Sequence, residues 1–169
     1  MPPVVVPREP VFVNLKDHLD DHGYRWIHVT PFDLTAPDAP DAEIIAAVMD
    51  SVPYRNGHIG GGVDPHGTIH GPFRIECMTV TDYEPLAAAV AVERFDRWVD
   101  VDLSASTEFT QILAEVVHRR LRAADAVYFL RDLGDDALCD YGRIHGEYNE
   151  FLTVDRTRRE VALILASDD

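Results

Sequence analysis

The sequence predicts an α+β fold, a single domain with a mixed, mostly antiparallel sheet and about three helices packed on it. Three observations carry this reading. Several short stretches alternate apolar and polar residues, one long stretch carries its apolar residues at helical spacing, and the chain closes on two apolar runs joined by a polar turn. Extended and helical segments interleave, and the last two extended segments face each other as a hairpin. A chain of 169 residues matches one domain and can bury enough surface to need no disulfide or metal staple. One continuous core is expected.

Residues 1–10 hold four prolines and predict an extended arm ahead of a domain spanning 11–169. Val11 to Leu15 is a short strand, and Lys16 to Gly23 is a polar turn or one helical turn. Tyr24 to Thr30 alternates Ile27 and Val29 against Trp26 and His28, which predicts a strand ended by Pro31. A helix follows over about 41–52. Ile44, Ile45, Val48, Met49 and Val52 form its apolar stripe, Asp38 or Asp41 is available as its cap, and Pro53 stops it. Phe73 to Thr81 alternates and predicts a strand. Pro85 suits the first turn of a helix to about Arg97, and Trp98 to Leu103 alternates as a strand with one wet face.

The strongest helix runs from about Ala105 to Ala123. Phe109, Ile112, Leu113, Val116, Val117, Leu121 and Ala124 share one face, opposite Gln111, Glu115, His118, Arg119 and Arg122. Ala126 to Leu130 is an unbroken apolar run, expected as a central strand. Leu133 to Gly146 includes a short helix. Glu150 to Val154 and Glu160 to Ala166 are the closing hairpin.

Charge narrows the function classes. Thirty Asp and Glu face fifteen Lys and Arg, a formal −15. Such a surface repels phosphate backbones and anionic lipid, so direct nucleic-acid or membrane binding is disfavoured. Lys16 is the only lysine, and the Ala, Asp, Val and Arg bias points to a high-GC or salt-adapted genome. Cys77 and Cys139 form no CxxC, which suits a reducing, cytoplasmic setting. The N-terminal segment has neither the charged nor the apolar region of a signal peptide.

Six glycines fall within Arg55 to Pro72, the longest irregular stretch, and loops of that length in compact domains are usually functional or mobile. His58, Asp64, His66 and His70 lie in it and Glu76 follows, so these five are the candidate ligands of a divalent transition metal. The pattern is neither HExxH nor a Cys/His knuckle, and it contains no P-loop. His18 and His22 are four residues apart but sit in an acidic turn closed by Gly23. Asp135, Asp136, Cys139, Asp140, His145, Glu147 and Glu150 cluster in sequence; Cys139 with His145 could form a thiolate pair. GxSxG does not occur.

The C-terminal stretch EYNEFLTVDRTRREVALILASDD resembles the closing hairpin of small uncharacterised proteins from high-GC actinobacteria, and the resemblance implies no activity, ligand or site residue. Two readings of function follow from the residues. One is a protein-interaction domain, an inhibitor or immunity-like partner of a basic protein, whose encounter the charge would speed. The other is a small metal-dependent enzyme or metal-binding protein using the histidine-containing glycine loop.

Overall fold

The computed structural model describes residues 2–19, 24–58, 62–100 and 105–169. Its centre is a seven-stranded sheet built from β1 (Val5–Pro7), β2 (Val11–Asn14), β3 (Arg25–Leu34), β6 (Tyr83–Leu86), β7 (Ala126–Leu130), β8 (Glu147–Asp155) and β9 (Glu160–Asp168). The spatial order is β1-β3-β9-β8-β7-β6, with β2 pairing β3 on the edge that β1 shares, and every pairing is antiparallel. The α+β class is therefore as the periodicity predicts. A small separate hairpin joins β4 (Ile69–His70) to β5 (Phe73–Arg74).

Alternation along each strand divides the core in two. Trp26, Phe32, Leu34, Leu152, Val154, Val161, Leu163 and Leu165 face one side, where α1 (Asp41–Asp50) packs Ile44, Ile45 and Val48 against them. Ile27, Val29, Phe151, Ala162, Ile164 and Ala166 face the other, under α2 (Ala88–Val99), α3 (Thr107–Leu113) and α4 (Arg119–Ala123). The expected single core is thus two apolar layers separated by the sheet. The cause is that β3, β8 and β9 carry apolar residues at both phases, so both faces demand cover.

The helix over 107–123 forms as its stripe predicts, with a π turn at Ala114–His118 between α3 and α4. Phe109, Leu113, Val117 and Leu121 are buried, and the Ser106 hydroxyl caps the start by accepting from the Phe109 amide at 3.1 Å. At α1 neither Asp38 nor Asp41 caps; Pro40 holds that position, and Asp41 instead accepts from Arg156 at 2.7 Å and from the Tyr128 hydroxyl.

Six local expectations are corrected. The arm is a strand in part, since Val5, Val6 and Pro7 pair with Leu34, Asp33 and Phe32. Pro31 lies inside β3 rather than ending it. Its carbonyl accepts from the Arg8 amide, so its nitrogen faces the same β1/β2 edge and no bond to β9 is lost. Phe73–Thr81 is strand only at Phe73–Arg74. Single 3₁₀ turns follow at Ile75–Cys77 and Val80–Asp82, the second closed by a Thr79–Asp82 capping box. Pro85 sits in edge strand β6, and the helix starts three residues later at Ala88. Trp98 and Val99 end α2, because its own apolar stripe of Ala91, Phe95, Trp98 and Val99 continues through them; the rest of that expected strand, 101–103, is outside the described residues. Ala126–Leu130 is a strand, but it lies one place from the sheet edge, with Ala126, Tyr128 and Phe129 only half-buried.

Candidate functional site

The site is built where the glycine loop lies over one end of the sheet. Glu150 stands on an inward position of β8, between Tyr148 and Leu152 on the same face, and is wholly buried. A carboxylate placed there must be met by donors. Tyr148 donates to it at 2.8 Å, Tyr83 from β6 donates to its other oxygen, and His70 of the loop faces it through Nε2. Tyr54 completes the chain by donating to the Tyr83 hydroxyl at 2.7 Å. Burial, and then the Glu150 charge, push the phenols of Tyr83 and Tyr148 well above the ordinary tyrosine value; burial first and Glu150 next do the same to Tyr54. All three phenols therefore stay protonated as donors.

His70 is the link between loop and sheet. Its Nδ1 lies 2.6 Å from the Tyr54 carbonyl, and a carbonyl only accepts, so Nδ1 carries hydrogen. Its other nitrogen, Nε2, is then left to meet the Glu150 carboxyl. The His70 ring also stacks flat on Tyr54, centroids 3.6 Å apart. Asn56 and Gly71 close the loop's two ends, with the Gly71 amide donating to the Asn56 carbonyl at 2.8 Å. Gly71 has φ +52, and a Cβ there would collide with the Tyr148 ring.

A second row of rings runs across the same face. Phe12 on β2 stacks on Trp26 at 6.2 Å, Trp26 on His58 at 5.1 Å, and His58 meets His28 edge-on at 4.8 Å. His145 stands 6.0 Å from Trp26, its ring nitrogens engaged by Asp169 at 3.0 Å and the Gly57 carbonyl at 3.1 Å. Burial, then the proximity of His28, His70 and His145, hold His58 down to about 2, and burial lowers His28. Both are neutral imidazoles at physiological pH.

Beyond His58 the loop encloses a cavity of about 500 Å³. Arg55, Asp64, His66 and Ile69 line it from the loop, and Tyr141 and Ile144 from the segment before β8. Arg55 braces the wall by donating to the Gly67 carbonyl at 2.7 Å. Tyr141, Ile144 and the neighbouring Phe12 are 63%, 47% and 60% exposed, so large apolar side chains stand at the mouth and along the adjoining strip.

The structure brings three of the five sequence candidates together. His58, Asp64 and His66 line this one cavity. His70 is turned into the Glu150 network instead, and Glu76 is a surface side chain 3.4 Å from Arg74. Asp64 accepts from the His66 amide at 3.0 Å. Among the described residues no group of three or more His, Cys, Asp and Glu side chains is arranged to hold a metal ion. Cys139 is buried, its amide tied to the Pro72 carbonyl, while His145 is engaged elsewhere as described. His18 stacks on Phe109, His118 lies 2.6 Å from Asp96, and His22 is outside the described residues.

Sequence reasoning missed Glu150, Tyr54, Tyr83, Tyr148 and the Trp26–His28 pair as parts of one site. A signal for the first was present. In EYNEFLTV the phase that buries Leu152 and Val154 also buries Tyr148 and Glu150, and an inward carboxylate demands donors.

No protein-family model matches the chain, and no curated protein matches it. Among solved structures it is similar to the crystal structure of citrus MAF1 in space group C 2 2 21. The two are 12% identical over 90% of this chain and 92% of that one, with a TM-score of 0.42. A likeness of that size is too slight to speak for function. Among the described residues no helix is long and apolar enough to cross a membrane.

Proposed function

We propose that the chain is an acidic protein-interaction domain, and that it receives an apolar side chain of a basic partner in the glycine-loop cavity. The observation that carries this is the cavity of about 500 Å³ with Tyr141 and Ile144 exposed at its mouth, on a chain of formal charge −15. Exposed aromatic and aliphatic side chains around a concavity are the usual anchor of an interface. The excess of carboxylates favours a partner of opposite sign and speeds its approach. The network beneath the loop supports the same reading, because a fixed wall lowers the ordering cost of binding.

The test is a photo-activatable amino acid placed at Tyr141 and, as a control, at Glu108 on the opposite layer, in cells that make the protein. The proposal expects an adduct with a basic protein from position 141 and none from 108. With that partner purified, affinity should fall steeply as salt rises. Equal labelling from both positions, or an affinity indifferent to salt, would contradict the proposal.

A further inference from the structure

We propose that His28 and His58 together bind a borderline divalent metal ion, of the zinc, nickel or copper class, between β3 and the glycine loop. The pair keeps only His58 of the five residues suggested by sequence spacing and adds His28 from β3, and its argument begins with an orphan. The Nδ1 atom of His28 is buried and has no hydrogen-bond partner. Leaving a buried polar atom unmade costs about 1–3 kcal/mol, and each such case in a native protein calls for a reason.

The ring nearest to it is His58, edge-on with centroids 4.8 Å apart. Among the described residues no hydrogen bond reaches the ring nitrogens of His58 either. The two other imidazoles close by are spent. His70 is held by the Tyr54 carbonyl and Glu150, and His145 by Asp169 and the Gly57 carbonyl. Two imidazoles free of side-chain hydrogen bonds therefore pack edge-on at 4.8 Å, and imidazole nitrogen is a ligand for such ions.

The backbone at His58 is consistent with such a role. It has φ +55, a left-handed conformation uncommon outside glycine, and its amide is fixed by the Asn56 side chain at 2.9 Å. Strain of that kind gathers at ligand sites. His58 also lines the cavity, which gives an ion a way in. His66 lines the same wall. With two protein ligands, solvent would complete the coordination shell. Neutral imidazole suits zinc, copper and nickel, whereas magnesium and calcium prefer oxygen.

Trp26 makes the site readable, because its ring stacks on His58 at 5.1 Å. The only other tryptophan, Trp98, lies on the opposite layer. The experiment titrates untagged full chain carrying Trp98→Phe with Ni²⁺ or Cu²⁺ and follows Trp26 fluorescence, with EDTA added at the end. Saturable quenching at one equivalent, reversed by EDTA, is expected. Binding should weaken by about tenfold or more in both His28→Gln and His58→Gln, and stay unchanged in His18→Gln. A second measurement needs no substitution. Zn²⁺ added to the unaltered chain should shift the ring ¹⁵N resonances of His28 and His58 and leave those of His118 in place. Absence of quenching up to millimolar metal, or binding that survives His58→Gln undiminished, or resonance shifts confined to other histidines, would overturn the proposal.

Discussion

Replacing Glu150 by alanine removes the acceptor on which three buried donors converge. Tyr148 donates to it at 2.8 Å, Tyr83 to its second oxygen, and His70 approaches through Nε2; Glu150 is 0% and His70 1% exposed. Water cannot readily replace a lost partner there. Breaking a buried pair by deleting one member costs about 3–5 kcal/mol, mainly because the survivor is left unpaired. A domain of this size loses about 2–4 °C of Tm per kcal/mol, so Glu150→Ala should melt about 6–20 °C lower. Glu150→Gln keeps the shape. Its oxygen can accept from one tyrosine, and its amide can donate to Nε2 of a His70 whose proton sits on Nδ1. Its cost should be about 1–2 kcal/mol. Urea unfolding, followed by far-ultraviolet circular dichroism, measures both values as shifts in midpoint at constant slope. The reasoning is refuted if Glu150→Ala costs under about 1 kcal/mol, or if the glutamine and alanine variants are equally unstable.

Three further outcomes follow from the geometry. Gly71→Ala combines a positive φ with a collision against Tyr148 and should cost about 2–4 kcal/mol in urea unfolding. In EDTA, stability should fall on acidification. His58 is lowered from 6.5 to about 2, so below pH 6.5 the unfolded chain binds a proton that the folded chain refuses. Between pH 7.5 and 5.5 that one group removes about 1.4 kcal/mol, His28 acts in the same direction, and His58→Gln should flatten the slope. Glu160 accepts from Arg120 at 2.9 Å and from Arg8. Burial works to raise its carboxyl, but Arg120, Arg8 and Arg119 outweigh it and the value is lowered. Its stabilisation is complete above the unfolded carboxyl value and is lost as pH falls through the lower folded one. Glu160→Gln should cost about 1–2 kcal/mol at pH 7, a deficit that closes in acid.

Much of the scaffold was legible in the sequence because period and face coincide there. In the stripe from Phe109 to Leu121, Phe109, Leu113, Val117 and Leu121 are buried, with Ile112 and Val116 packed half-buried beside them; in β3 Ile27 and Val29 face one layer and Trp26 the other, and the closing hairpin forms as β8 and β9. The failures share a cause. In residues 73–81 the alternation is real, but the strand pairing ends where Ile75 donates across the β4–β5 hairpin to Thr68; beyond it Met78 donates to Ile75 and Asp82 to Thr79, so local 3₁₀ turns rather than a longer ladder satisfy the backbone. At Pro31 and Pro85 proline was compatible with a strand because each stands where an edge asks for no donor. The site was half visible. Glycine spacing found the loop, and three of its five candidate ligands share one cavity, but the partners that hold it come from Tyr54, Tyr83, Tyr148 and Glu150, spread over nearly a hundred residues. Only the fold brings those together. His70 was nominated as a ligand by composition, and tertiary packing assigned it to Glu150.

The most direct test of the whole account is native-state hydrogen exchange at the amides that close the glycine loop on itself. Gly71 donates to Asn56, Ile75 to Thr68 and Asp64 to Arg55, at 2.8, 2.9 and 3.0 Å. If the loop is a fixed wall anchored through His70, these three amides exchange far more slowly than exposed ones, and the protection of Gly71 collapses in Glu150→Ala while β9 stays protected. Exchange of Gly71, Ile75 and Asp64 at the rate of unstructured chain in the unaltered protein would contradict it, since there would then be no standing cavity for a partner to enter.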